Sequence, residues 1–370
     1  MTVADTIKLP KGPKVTIADV AIKASVSAGT VSRVLSGSAT AIRISENTRK
    51  KVIAAAKQLD FYPNYAAQTL ASSKTHTIGV GICQDPIGRG FIGMFEAAVI
   101  SGIEEAAHSQ GYDILLMSLV DPGEDIERCK RSLYQNRIDG LIIITSPERS
   151  SVINQLVSLQ KPVVAIDAYG ADIGTPCVNI DNIKAVRIAM EYLIEMGHKK
   201  ITFMGTLKGD EGIEESLRRR GYEEGLIAAG ICLDKKYILN SSTCSKTTTG
   251  PRGGNFDDGF VGVKELIGRA DDFSAVVCHN DLVAAGAIAG LVQMGKRVPS
   301  DVSVIGFDDS IVSRTTFPNL SSIRHPTESM GKLAVNIILN ATNSELPLNP
   351  IERHVLDAML VIRDSTGPVG

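Results

Sequence analysis

Thr16 to Leu35, TIADVAIKASVSAGTVSRVL, constrains this chain more than any other stretch. Thr16 is a good helix N-cap, and Asp19 three residues on makes a short-armed capping box. Val20, Ala21 and Ala24 fall on one helical face with Ile17 above them. Ser25-Val26-Ser27 breaks the run, and Ser27 caps a second helix from Ala28 to Leu35. There Val31, Val34 and Leu35 face inward, which leaves Thr30, Ser32 and Arg33 outside. Two helices joined by so short a turn cross steeply, as in a helix-turn-helix, although a plain helical bundle with a solvated polar face has the same pattern. Ser45 then caps a third helix with an inward face of Val52, Ile53, Ala56 and Leu59. Pro63 to Ser72 follows, a proline-started segment in which Ala66, Ala67 and Ala71 permit close helix approach.

Net charge is only −2, but it is unevenly spread. Met1 to Thr75 carries eleven Lys and Arg against four Asp and Glu, while the remainder carries 28 against 37. A basic front ahead of an acidic body suits a polyanion-binding module on a soluble sensor. No stretch approaches the roughly 20 apolar residues that span a bilayer, and MTVADTIKLPKGPK lacks the apolar core of a secretory signal. Residues 1–14 read as a disordered basic arm. The six cysteines form no C-x-x-C pair and read as buried free thiols of a reducing cytoplasm. The six histidines are scattered without metal-ligand spacing, so neither metal nor cofactor is expected.

From Thr77 onward short β-branched runs alternate with helical segments. Strands are expected at 77–83, 112–119, 140–145, 162–166, 178–181, 200–204, 237–239, 275–278 and 302–307. Helices are expected at 95–110, 124–136, 151–159, 184–196, 220–229, 260–268 and 281–294. This alternation means parallel βαβ units with helices on both faces. Two such rounds make two α/β lobes, and ligands bind outside the carboxyl ends of their strands, in the cleft. Thr247 to Gly259, TTTGPRGGNFDDG, lacks the Lys-Ser/Thr of a phosphate loop and reads as a loop at the cleft mouth.

The front end resembles the DNA-binding headpiece of the LacI family of bacterial transcription regulators. The matching residues are Val15-Thr16-Ile17, Asp19-Val20-Ala21, Ala24, Val26-Ser27, Thr30 to Leu35, Thr48-Arg49, Tyr62-Pro63-Asn64, Ala67-Gln68 and Leu70-Ala71. The body is similar to the family's periplasmic-binding-protein-like sensor through Gly102 to Ala107, Ile138 to Ile142, Asp181-Asn182, Gly197 to Ile201, Arg218, Asn280-Asp281, Val298-Pro299, Asp301 to Asp309 and Pro318 to Ile323. The resemblance implies a helix-turn-helix domain over 15–62, a hinge helix and linker over 63–76, and a ligand-binding, dimerising domain over 77–366 whose lobes are joined by three crossings. Ser25 stands where the family usually has glycine, and Gln68 where many members have arginine.

On DNA, the second helix would enter the major groove. Arg33 can fork onto guanine, the short hydroxyls of Thr16, Ser27, Thr30 and Ser32 suit phosphates or base edges, and Ala28 and Gly29 offer only apolar or backbone contact. Asn64 and Gln68 are expected against the backbone, and Leu70 matches the leucine that the family wedges into the minor groove. In the cleft the candidates are Asp85, Asp167, Arg218, Asn280 and Asp308, with Phe256 as a stacking side chain at the mouth. The expectation is a ligand-responsive, non-enzymatic DNA-binding regulator of the cytoplasm, of the repressor type. It would be a homodimer on a pseudo-palindromic double-stranded operator, and its effector would be a sugar or, as the minority case, a purine. The rivals are a cytoplasmic solute-binding protein and an enzyme on this fold; no nucleophile-base pair supports the latter.

Overall fold

The computed structural model describes residues 15–35, 44–64, 69, 74–83, 94–119, 121–144, 150–157, 159, 161–169, 173–206, 213–240, 254–270, 272–344 and 348–369. The chain divides into two compact units, 1–75 and 76–370.

The small unit holds α1 (Ile17–Ala24), α2 (Ala28–Leu35) and α3 (Glu46–Gln58). The capping box of α1 closes: Thr16 N and Oγ1 donate to Asp19 Oδ2 at 2.8 and 2.7 Å, and Asp19 N donates back to Thr16 Oγ1 at 3.4 Å. Ser25 turns the chain in the left-handed region (φ 55°), with Val26 N donating to Ala21 O at 3.0 Å. A serine pays a steric penalty there that glycine does not. Ser25→Gly is therefore expected to stabilise the headpiece by a few tenths to about 1 kcal/mol, read as a higher thermal midpoint of that unit. Val20, Ala21, Ala24, Val31, Val34, Val52, Ala55 and Ala56 form one small core. Ile53, expected inside, is half-exposed, and Ala55 takes the inward position. The inward stripe of α3 is Val52, Ala55, Ala56 and Leu59, at i, i+3, i+4 and i+7, and Ile53 lies off it.

The large unit has two lobes. Lobe one alternates β1 (Thr77–Cys83), α4 (Met94–Ser109), β2 (Asp113–Leu119), α5 (Pro122–Tyr134), β3 (Gly140–Ile144), α6 (Ser150–Val157), β4 (Val163–Ile166) and β5 (Cys177–Ile180). Lobe two runs α7 (Asn182–Glu195), β6 (Ile201–Met204), α8 (Ile213–Ala228), β7 (Ile238–Leu239), α9 (Phe256–Arg269), β8 (Ala275–Cys278), α10 (Asp281–Gln293), β9 (Ser303–Asp308), α11 (Val312–Thr315) and β10 (Ser321–Arg324). The chain returns to lobe one with α12 (Thr327–Ser344) and β11 (Arg353–Leu356), then passes to lobe two with β12 (Met359–Val361).

The first sheet has the order β11-β5-β4-β3-β1-β2 and is parallel throughout. The second has the order β12-β10-β9-β8-β6-β7, parallel except for β12. Every residue of β3, β4, β6 and β8 is buried, as strands covered by helices on both faces require. The connections β5–α7, β10–α12 and β11–β12 pass between lobes, and these are the three crossings.

Two differences from the sequence reading matter for the cleft. Phe256 to Gly259, assigned to a loop, form the first turn of α9, capped by Asn255. α12, for which no element was expected, lies tightly on α4. A Cβ on Gly102 would stand 2.1 Å from Glu328 O, so only glycine lets these helices meet. Their N-terminal ends thereby come together at the cleft. Of the cysteines, Cys129, Cys177 and Cys278 are buried free thiols as expected, whereas Cys232 is exposed and Cys244 lies outside the described residues.

Candidate functional site

The exposed side of α2 is built from its first two turns. Ser27 Oγ accepts from Thr30 N at 3.1 Å and bonds Thr30 Oγ1 at 2.9 Å, so these two hydroxyls fix each other. Ala28, Gly29 and Ser32 are exposed, as is Thr16 ahead of α1. Arg33 is half-buried and its Nε donates to Gly29 O at 3.1 Å. That bond holds the side chain along its own helix and uses one of five guanidinium donors, so the terminal nitrogens keep donors to spare. Asn64 is exposed. Gln68 and Leu70 lie outside the described residues.

The cleft of the large unit is built where strands end. β4 delivers Asp167 (φ 57°), and β9 delivers Asp308 (φ 103°) and Asp309 (φ 51°). Such dihedrals are strained for non-glycine residues and recur where the fold must aim a side chain. Arg218, in the middle of α8, is only 6 % exposed. Its Nε donates to Asn182 Oδ1 at 2.8 Å, Nη1 donates to His279 O at 2.6 Å, and its Cζ lies 3.6 Å from the Phe307 ring centroid. Asn182 Nδ2 donates in turn to the Tyr169 hydroxyl at 2.7 Å, which ties the first residue of lobe two to lobe one. Asp281 holds the loop behind Asp308, accepting from Ser310 N (2.7 Å), Ser310 Oγ (2.8 Å) and Ser322 Oγ (2.6 Å).

Burial raises the carboxyl pKa of both Asp167 and Asp308, and the Arg218 guanidinium partly opposes it. Asp308, facing Asp281 and Asp167 as well, is pushed up to about 8. His325 on the β10–α12 crossing is driven down to about 3, by burial first and then by Arg218. A cavity of about 640 Å³ opens beside this cluster, bounded by Phe95 and Ala98 of lobe one, Asp308 and Ser310 of lobe two, and His325 between them.

A model described as the lacI family of bacterial regulatory proteins matches residues 16–64, and one for a periplasmic-binding-protein-like domain matches 190–366. The transcriptional regulator RegA of Clostridium saccharobutylicum is 32% identical over 353 residues, 95% of this chain and 98% of its own. This chain belongs to the LacI family. It is a DNA-binding transcription regulator with a small-molecule sensor. CelR of Thermobifida fusca is also 32% identical, over 95% of this chain and 98% of its own. A solved CelR–cellobiose complex matches with TM-score 0.66 and 28% identity, covering 95% of this chain and 99% of that one.

Within this LacI-family sensor the structure brings together Asp167, Arg218 and Asp308. Asn280 caps α10, with Oδ1 accepting from Val283 N at 2.8 Å and Nδ2 donating to Gly254 O at 2.9 Å, so both ends of its amide are engaged. Phe256 is 42% exposed and stacks on Phe260, one turn along its own helix, at 6.1 Å between ring centroids. Asp85 lies outside the described residues. Sequence reasoning gave no role to Tyr169, Phe95, Phe307 or His325, and quoted Asn182 only as part of a family match. Only tertiary structure joins these residues to Arg218. Among the described residues no helix is long and apolar enough to cross a membrane, and no group of three or more His, Cys, Asp or Glu is placed to hold a metal ion.

The cleft has a pH signature. With Asp308 at about 8, the folded sensor holds a proton that the unfolded chain has lost, so this group's contribution falls as pH rises through about 8. His325 acts in the opposite sense only below its ordinary 6.5, where the unfolded imidazole is protonated and the buried one is not. Asp281, raised to about 6, has lost most of its effect above that. The urea midpoint of the unliganded sensor is therefore expected to be lower at pH 8 than at about pH 6.5.

Proposed function

We propose that this protein is a cytoplasmic, repressor-type regulator that binds a pseudo-palindromic operator as a homodimer and responds to a sugar in its interlobe cleft. In this reading residues 15–62 recognise DNA, 63–76 form the hinge and 77–366 sense ligand and dimerise. Arg33 reads a guanine; Ser27, Thr30, Ser32, Thr16 and Asn64 hold phosphates or base edges; Leu70 wedges the minor groove. The observation that carries the effector site is Arg218. It is buried, held by a side chain and a carbonyl, and faces carboxyls delivered by the strands of both lobes. Fixed polar groups at strand ends around a cavity are what a small polar ligand needs. A relative solved with cellobiose makes carbohydrates the first class to test.

A ligand gripped by both lobes binds the closed arrangement better than the open one. That difference in affinity drives closure about the three crossings. Pairing of two copies is supported by α10, which lines up Leu282, Ala285, Ala289 and Val292 at helical spacing on its less buried side. The test is an electrophoretic shift with a palindromic operator. The expected result is a complex poorly competed by random DNA and altered by a sugar. A response to nucleobases alone would move the effector to the purine class, and no specific complex under any ligand would remove the reading.

A further inference from the structure

We propose that the ion pair between Arg324 and Asp309 latches the β10–α12 crossing, and that Arg324 is thereby a positioning residue for the coupling between effector and operator. This rests on the two lobes being a ligand-driven hinge, and it names the side chain that holds the hinge at rest.

The crossing is short. Arg324 is the last residue of β10 in lobe two, and Thr327 is the first of α12 in lobe one. α12 is locked onto α4: a Cβ on Gly331 would stand 2.3 Å from Val99 O, just as one on Gly102 would meet Glu328 O. A turn of one lobe against the other therefore falls on His325 and Pro326, and the proline has a fixed φ. The His325 ring lies edge-on to Phe95 of lobe one (5.1 Å, 81°) and to Phe307 of lobe two (6.3 Å, 63°). Among the described residues neither of its ring nitrogens has a hydrogen-bond partner. Ring edges can slide as the lobes turn, with no hydrogen bond to break. The side-chain restraint at this crossing is Arg324.

Its anchor is Asp309, next to the cleft residue Asp308 and with a side chain only 1% exposed. Oδ2 accepts from Arg324 Nε at 2.7 Å, and Oδ1 accepts from Ser313 Oγ at 2.9 Å and from Arg363 Nη2. Burial pushes the Asp309 carboxyl up, but the bonds from Arg324, Arg363 and Ser313 outweigh it and leave the group below its ordinary value. Neighbouring carboxyls thus take opposite states: Asp308 is pushed up toward the protonated form, and Asp309 stays an anion. The two arginines differ as well. Arg363 has a side chain 15% exposed, and its Nη1 donates to Leu320 O at 2.6 Å, so it is fixed within lobe two. The Arg324 side chain is 45% exposed and lines the cavity between the lobes. Water can take over a half-exposed guanidinium as the crossing turns, which makes Arg324 the releasable tie and Arg363 the permanent one. At the β11–β12 crossing, Lys184 Nζ meets Asp357 Oδ1 at 2.6 Å with both side chains exposed, a tie that water screens more.

The experiment follows amide hydrogen exchange and the urea midpoint of the full-length wild type, Arg324→Met, Arg324→Lys and Arg363→Met. It then measures affinity for a palindromic operator selected from random duplexes, with and without cellobiose. Arg324→Met is expected to speed exchange over residues 321–331 about tenfold, while β3, β8 and the urea midpoint keep their wild-type behaviour. Arg324→Lys, which keeps the charge, should restore slow exchange in part, and Arg363→Met should lower the midpoint. Loss of the latch populates the other arrangement of the lobes and leaves the effector less to shift. Unliganded Arg324→Met should therefore differ from the unliganded wild type in operator affinity about threefold or more, toward the liganded value, and respond correspondingly less. A lowered midpoint with faster exchange in every strand makes Arg324 an ordinary strut and overturns the latch, as does wild-type exchange over 321–331. Local loosening with wild-type operator affinity and response overturns the coupling role. A wild type indifferent to cellobiose counts against the carbohydrate reading instead; the exchange rates and the unliganded operator affinity still decide the latch.

Discussion

Replacing Arg218 by methionine is expected to abolish measurable effector binding and to destabilise the sensor by about 3–5 kcal/mol, the usual cost of deleting one partner of a buried charged network. Methionine keeps most of the volume and chain length, so packing is not the main loss. What disappears is the donor to Asn182 Oδ1, the donor to His279 O and the cation on the Phe307 face. The Asn182 amide also contacts Tyr169, so the bond between lobe one and the start of lobe two loosens. Asp167 and Asp308 lose the Arg218 charge that offsets their burial and hold their protons to still higher pH. Operator binding by the separate headpiece unit should persist but become unresponsive. Urea unfolding and effector titration of the same preparation check both halves. Wild-type affinity in this variant would mean that Arg218 is only a strut of lobe two.

The strands were legible because parallel strands buried on both faces are continuous β-branched runs, as Gly140–Ile144 and Val163–Ile166 show. The headpiece was legible for the opposite reason: its turns and caps are local, and Thr16, Ser25 and Ser45 act within four residues. α8 was read seven residues short, because IEESLRR offers almost no apolar period. It carries instead Arg219–Glu223 and Arg220–Glu224 pairs four residues apart. α12 went unassigned although its apolar face is good; its place is set by Gly102 on a helix more than 200 residues earlier. The same distinction divides the site. Arg218, Asp167 and Asp308 could be named from a resemblance and from strand ends. That Arg218 would spend two donors on Asn182 and His279, or that His325 would lie between two aromatic rings with bare nitrogens, depends on contacts 36 to more than 200 residues apart.

On the DNA side, Arg33→Ala is expected to cost about 1–3 kcal/mol per half-site on the operator and to relax preference at one base pair. Arg33 does not wait extended in solvent: its Nε is bonded to Gly29 O, one turn back. The bond orients the guanidinium along α2 while the terminal nitrogens remain available for guanine O6 and N7. It also limits the rotamer entropy lost on binding. Ala28 and Gly29, exposed beside it, bring no side-chain donor, so in the proposed reading Arg33 carries most of the polar base reading on the first turns of this helix. Two half-sites on a dimer would compound the loss. Lys51→Ala supplies the contrast: if this α3 charge meets phosphate alone, its loss weakens operator and random DNA alike and reduces the salt slope by about one. Binding curves on operator and random duplex at several salt concentrations separate the two. Equal losses on both DNAs for Arg33→Ala would reduce Arg33 to another phosphate contact, and sequence reading would then have to pass to the hydroxyls of Ser27, Thr30 and Ser32.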